Sequence, residues 1–349
     1  MTSTAPSTAI HALVVGDSPA QRTELGRVLQ RDGDIAVVAE AGTAVDAVEL
    51  VARVRPHVVV LDLHLSDGGG QRAIEQIMAR TPTPILVLLA RLDDRHSPSA
   101  VEALVAGALD ALPTPARWTA QLETELRRSV RQIRKVTVIR RPRGMLARPP
   151  RPQPEPRCGE QPVVALAAST GGPSALATVL SGLDRLLAPV LVVQHLHPEY
   201  TNGLADWLSR ASALPVEMAE HGEIARPGRV YLAPAGVHLR LRANRRLELD
   251  ASPPTIHRPS ADQLFDSVAE RAGRAGVGVV LTGMGEDGAC GLLEMHRRGG
   301  HTFAQDEASS AVFGMPRAAQ RLGAVAQTDL LPLGQLAAAV RRAVSRVLR

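Results

Sequence analysis

The 349-residue sequence predicts an α/β protein of two units: an N-terminal five-stranded doubly wound domain and a C-terminal doubly wound, mostly parallel α/β domain. Three observations carry this. Short β-rich apolar runs alternate with amphipathic stretches across residues 10–116, and the same alternation begins again at residue 161. Between the two blocks lies RRPRGMLARPPRPQPEPR, with six prolines from Pro142 to Pro156, a composition suited to an extended connection. The length also suits two separate cores.

Residues 1–9, MTSTAPSTA, read as a disordered tail. In the first block, residues 10–118, the strands are IHALVV, IAVVAE, HVVVLD and PILVLL, with a fifth near Ala108–Leu112. PAQRTELGRVLQR and AVDAVELVARV are helices between them. Leu122, Leu126, Val130 and Ile133 recur at helical spacing and predict one helix over 119–139, the head of a connecting segment that runs to residue 160. The second block, 161–349, has strands at VVALAA, PVLVVQ, RVYLAP, GVGVVL and HTFAQ, and helices at PSALATVLSGL, NGLADWLSRA, ADQLFDSVAERAG and LGQLAAAVRRAVSRVL. HLRLRANRRLELD reads as a hairpin turning at Ala243-Asn244.

Composition excludes several classes. No apolar run is long enough to cross a membrane, and the N-terminus has no basic, apolar leader pattern, so membrane insertion and secretion are not expected. Two cysteines, Cys158 and Cys290, cannot make a disulfide framework and suit a reducing, cytoplasmic setting. The net charge of +5 is local: residues 117–157 carry +9, which leaves −4 for the rest. A basic connection without aromatic interleaving beyond Trp118 does not read as a nucleic-acid surface, though it can approach acidic surfaces.

The chemistry is sought beyond the carboxyl ends of the strands, where open parallel sheets bind ligands. LTGMGEDG, residues 281–288, spells G-x-G-x-x-G between a strand and a helix-like run, with Asp306 about 20 residues on. That pattern suggests a dinucleotide site, but Glu286 and Asp287 would then face a pyrophosphate. A second reading joins three strand ends. Ser169 follows VVALAA, His195 follows PVLVVQ, and Asp287 follows GVGVVL. A serine hydroxyl becomes a nucleophile when an imidazole takes its proton, and the imidazole needs a carboxylate to orient it. Gly171 and Gly172 open a predicted helix start beside Ser169, which suits an oxyanion. His195-Leu196-His197 is followed by Pro198 and by no carboxylate companion, so a metal site is not read there.

The wording of five separated stretches resembles the chemotaxis-type protein-glutamate methylesterases, the CheB family. They are STGGPSAL, VVQHLHPEYTNGLADWL, RPGRVYLAPAGVHL, HRPSADQLFDSVAE and LTGMGEDGACGLLEMHRRGGHTFAQDEASSAVFGMPRAA, spread in order over residues 161–335. The resemblance implies hydrolysis of γ-glutamyl methyl esters on the cytoplasmic helices of methylated chemoreceptors, with methanol released, and deamidation of certain glutamines. It implies Ser169 as nucleophile, His195 as general base and acid, and Asp287 as the histidine's partner. It adds the backbone N–H of Met284 as an oxyanion donor, puts Thr170 and Gly171 beside the site, and brings Arg258 and Ser260 near it. No cofactor is implied for the esterase.

Residues 10–118 resemble that family's receiver domain. The resemblance implies Asp62 as phosphoacceptor, Asp17 as one acidic Mg²⁺ ligand, and a histidine kinase as partner. The pattern is eroded, however. Gly16 stands where a second acid is expected, Leu89 where a hydroxyl is expected and Thr114 where a lysine is expected, and Leu65-Ser66 replaces Met-Pro. A degenerate receiver, poorly phosphorylated on Asp62 and poorly supplied for Mg²⁺, is therefore expected. Two other functions compete with the esterase: a non-catalytic signalling regulator on the same fold, and a dinucleotide-binding oxidoreductase.

Overall fold

The structure is a computed structural model that describes residues 9–65, 69–90, 98–136 and 161–349. The tail through residue 8, Ser66, the far end of the helix expected over 119–139 and the proline-rich connection lie outside the described residues. The described residues fall into two compact units, one on each side of the junction between Arg143 and Gly144.

The first unit contains β1 (Ile10–Val15), α1 (Pro19–Gln30), β2 (Ile35–Ala41), α2 (Ala44–Val54), β3 (Val58–Asp62), α3 (Gly70–Arg80), β4 (Ile85–Ala90), α4 (Pro98–Ala106), β5 (Asp110–Thr114) and α5 (Ala120–Ile133). The sheet order is β2-β1-β3-β4-β5 and every pairing is parallel. All of β3 is buried, as a strand covered on both faces by helices must be. Local signals set the helix starts: Ser18 caps α1 ahead of Pro19, and Thr43 and Thr119 accept from backbone N–H groups at the heads of α2 and α5. Helix α5, which the sequence assigns to the head of the connection, packs against α1 and the sheet of this unit. Its Glu123 is buried beside Arg27 of α1, Arg31 at the end of that helix and its own Arg127, and Arg131 holds Asp32 and Asp34.

The second unit contains β6 (Val163–Ala168), α6 (Gly172–Ser181), β7 (Val190–Gln194), α7 (Thr201–Ala211), β8 (Val216–Met218), β9 (Val230–Leu232), β10 (His238–Leu241), β11 (Leu247–Asp250), α8 (Ala261–Ala272), β12 (Gly276–Val280), α9 (Ala289–Arg297), β13 (His301–Gln305), α10 (Met315–Arg321), β14 (Leu330–Leu331) and α11 (Leu333–Val347). Seven strands form one parallel sheet in the order β14-β13-β12-β6-β7-β9-β8. β6, β7 and β12 are buried along their whole length, which explains their unbroken apolar runs. The expected hairpin is present as antiparallel β10 and β11, turning through Asn244 and Arg245 in the left-handed region. The short strands β8 and β14 and helix α10 are additions to the elements expected from the sequence. No helix among the described residues is long and apolar enough to cross a membrane.

Candidate active site

β6 is the centre of the second sheet. The chain steps from β6 to β7 on one side and returns to β12 on the other, so the crevice at the switch point lies beyond their carboxyl ends. Ser169 leaves β6, His195 leaves β7, and the loop Thr282–Gly288 follows β12. Backbone bonds hold the three ends together: Ser169 N–H donates to the Thr282 carbonyl at 3.0 Å, and His195 N–H to the Ala168 carbonyl at 3.0 Å. The amide of Gln194, buried at the end of β7, donates from Nε2 to the carbonyls of Ser169 (2.8 Å) and His195 (2.9 Å). Thr282 Oγ1 donates to the Thr170 carbonyl at 2.9 Å, and Thr282 N–H donates to Gln305 Oε1 at the end of β13 at 2.9 Å.

Two glycines permit this closeness. A Cβ on Gly283 would sit 2.8 Å from Ser169 Cβ, so only glycine lets the loop close on the serine. Gly171, at the head of α6, has φ 76° and would drive a Cβ to 2.5 Å from Ala311 Cβ. Met284 follows Gly283 directly and is half-buried. The glycines that spell a dinucleotide fingerprint thus serve a loop packed on Ser169, and Asp287 within it faces an imidazole.

The structure brings His195 and Asp287 together. His195 Nε2 lies 2.8 Å from Asp287 Oδ2, with both side chains largely buried. The contact is close but off hydrogen-bond alignment, and Nδ1 has no hydrogen-bond partner among the described residues. Loose alignment of this kind is ordinary in a resting site. Asp287 also accepts from Ser260 Oγ (2.8 Å), Ala261 N–H (2.7 Å) and Asp262 N–H (3.0 Å), which puts its carboxylate at the N-terminus of α8. Burial pushes the Asp287 pKa up, but the close approach of His195 and the two α8 amides outweigh it. The carboxyl is held well below the usual range. Asp262 moves the other way, raised chiefly by burial and further by the charge of Asp287.

A fourth side chain, His257, completes the neighbourhood. Its ring stacks on His195 with centroids 4.3 Å apart and planes 11° apart. Arg258 is exposed on the same loop, and its carbonyl accepts from Gly236 N–H at 3.1 Å. Sequence reasoning missed Gln194, Thr282, Gln305 and His257. The first three share one signal, a polar residue ending or just following a buried apolar strand; His257 has none, because only the tertiary fold brings it to His195.

A family model described as CheB methylesterase matches residues 164–340, more than half of the chain. The chain belongs to the CheB methylesterase family. A second model, described as response regulator receiver domain, matches residues 12–125. A protein-glutamate methylesterase/protein-glutamine glutaminase of Anaeromyxobacter dehalogenans is 44% identical over 336 residues, 95% of this chain and 96% of its own length. One from Agrobacterium fabrum is 40% identical over 333 residues, 93% of each chain. The solved catalytic domain of the Thermotoga maritima CheB methylesterase is 36% identical, covering 53% of this chain and 99% of that domain with a TM-score of 0.50. In this CheB-type chain, then, Ser169, His195 and Asp287 stand at the switch point of the methylesterase sheet.

The receiver half keeps its own switch point, between β1 and β3. Asp62 ends β3 and is buried. Its Oδ2 accepts from Gln21 Nε2 and its Oδ1 from His64 N–H, both at 2.9 Å. Burial pushes the Asp62 pKa up, the charge of Asp17 adds to that, and the two hydrogen bonds oppose it. Gly16 offers no carboxylate beside it; a Cβ there would lie 3.8 Å from Asp62 Cβ. Arg22 Nη1 spans the β1–α1 turn, donating to the carbonyls of Gly16 (2.7 Å) and Asp17 (3.2 Å). Leu89 is buried in β4, and Thr114 Oγ1, at the end of β5, is buried without a hydrogen-bond partner among the described residues. These residues do not fit a Mg²⁺ cage. One exposed flanking acid, Asp17, accompanies Asp62, and no group of three His, Cys, Asp or Glu side chains among the described residues could hold a metal ion.

Proposed function

We propose that this protein is a protein-glutamate methylesterase, hydrolysing γ-glutamyl methyl esters on the cytoplasmic helices of chemoreceptors, with deamidation of glutamines at the same site. The observation that carries the reading is the His195 Nε2 to Asp287 Oδ2 contact of 2.8 Å beside Ser169, inside a CheB methylesterase domain. With Nε2 committed to Asp287, Nδ1 is the nitrogen left to take the proton of Ser169 Oγ as that oxygen attacks the γ-carbonyl carbon. Asp287 fixes the tautomer and stabilises the imidazolium that results. The carbonyl oxygen gains negative charge, which the backbone N–H of Met284 and the start of α6 at Gly171 and Thr170 stabilise. Collapse of the intermediate breaks the bond to the methoxy oxygen, His195 returns its proton to that oxygen, and methanol leaves. Water then attacks the glutamyl-Ser169 ester, His195 again taking and returning a proton, and glutamate and Ser169 are regenerated. No cofactor enters these steps.

The chain divides into a receiver unit, a basic connection and a catalytic unit at 161–349. The receiver unit is degenerate: Gln21 occupies Asp62 where a metal-bound water or phosphoryl oxygen would need access, and the erosion at Gly16, Leu89 and Thr114 removes its supports. A histidine kinase therefore transfers phosphate to it poorly. The reaction is tested in water enriched in ¹⁸O, with a carboxyl-methylated receptor as substrate. The mechanism predicts label in the product carboxylate and none in methanol; label in methanol, from cleavage of the methyl–oxygen bond, rejects it.

A further inference from the structure

The segment between β11 and α8, ASPPTIHRPS, carries three prolines in ten residues and overhangs the catalytic histidine. Its base is pinned on both sides by one buried ring. His238 Nε2 donates to the Pro253 carbonyl at 2.9 Å, and His238 Nδ1 accepts from Ser260 N–H at 3.2 Å. Arg240 Nη2 adds a bond to the Ser252 carbonyl at 2.7 Å, and Ser260 Oγ reaches Asp287. Near the tip, Thr255 Oγ1 donates to the His257 carbonyl at 2.5 Å. A loop built this rigidly nevertheless holds Ile256 97% exposed, the most exposed large hydrophobic side chain among the described residues. The next residue, His257, is the one whose ring lies on His195. An apolar side chain is thus presented to solvent one residue from the ring that covers the catalytic base.

We propose that this loop is the docking arm for the substrate helix, with Ile256 packing against an apolar side chain of the helix one turn from the ester-bearing glutamate. The inference rests on the methylesterase reading. A γ-glutamyl ester is a small target at the end of a flexible side chain, and the ester alone does not distinguish a receptor helix from free glutamate methyl ester. Residues three or four positions away lie on the same face of the helix, so an apolar contact there reads the helix while the ester reaches Ser169. The rigid base means that little order is lost when the arm engages. Seating the helix on Ile256 also closes the solvent side of the His195–His257 pair.

The test uses the full chain and two substrates: a carboxyl-methylated receptor fragment in its helical form, and N-acetyl-glutamate γ-methyl ester α-amide. Ile256→Ser is expected to raise KM for the receptor roughly tenfold or more, the loss expected from one buried aliphatic side chain, with kcat within about twofold of wild type. The ratio of kcat/KM between receptor and small ester falls by the same factor, and Ile256→Leu restores it. An unchanged receptor KM in Ile256→Ser overturns the proposal. So does an equal loss on both substrates, which would make Ile256 a support for His257. Wild type that hydrolyses the small ester but not the methylated receptor rejects the receptor reading itself, a result separable from either of these.

Discussion

Gly283 decides how closely the loop after β12 approaches the serine. Its missing side chain leaves room for Ser169 Cβ on one side and the Met315 sulfur on the other. Gly283→Ala must push the loop outward, carrying the Met284 N–H away from the position of the developing oxyanion. We expect kcat for methanol release to fall at least tenfold and stability to drop by about 1–3 kcal/mol, typical of overpacking; near-wild-type kcat would show that the loop does not serve the oxyanion. This glycine also shows what was legible in the sequence. G-x-G-x-x-G was visible, but its meaning was not, because the pattern records tight turning and close approach without recording what approaches. Ser169, His195 and Asp287 became readable together because each lies in the segment just beyond a strand run, and adjacent parallel strands bring such segments within reach. Gln194 leaves one local mark, a polar residue ending a buried apolar strand, but that mark does not show that it pins two carbonyls; His257 leaves none, because it stacks from a distant loop.

Helix α8 contributes to the site through its first turn. Ser260 caps it, and the amides of Ala261 and Asp262 point at Asp287, so the carboxylate in contact with His195 also caps the N-terminus of a helix. This has a consequence for acid stability. The folded pKa of Asp287 lies below its unfolded value of about 4, so the unfolded state binds more protons in the window between the two. The stabilisation is complete at neutral pH and is lost as pH falls below about 4 through the folded value. Asp287→Asn should therefore lower Tm most at pH 7, by roughly 2–4 °C for each kcal/mol lost, and the gap to wild type should narrow on acidification. A gap that stays constant with pH would mean that the carboxylate charge contributes nothing. At this scale most elements could be read in advance, since periodicity of 2 or 3.6 residues survives in any run of adequate length. β8, β14 and α10, at three, two and seven residues, are too short to carry a period, and they form because neighbours already in place offer them partners.

The whole molecule joins a methylesterase domain, with Ser169, His195 and Asp287 beyond the strand ends of its sheet, to a receiver domain that lacks several expected site residues. Asp62 is buried and bonded to Gln21, with one flanking acid and neither the hydroxyl nor the lysine expected of a phosphorylating site. Incubation with a small phosphodonor and Mg²⁺ should leave Asp62 largely unlabelled and esterase activity within about twofold of its starting value; ready labelling with a rise in activity would contradict this. The two-unit plan was legible because the proline-rich, basic stretch interrupts two blocks of the same alternation. The place of α5 was not, because the contacts of Glu123 and Arg131 with α1 and the turn after it span about a hundred residues of sequence. The central claim is that Ser169 carries the acyl group. It is tested most directly by methanol release from a carboxyl-methylated receptor, comparing wild type with Ser169→Ala in the full chain. The account predicts steady release by wild type and a loss on the order of 10⁴-fold or more in the variant; normal turnover by Ser169→Ala would contradict it.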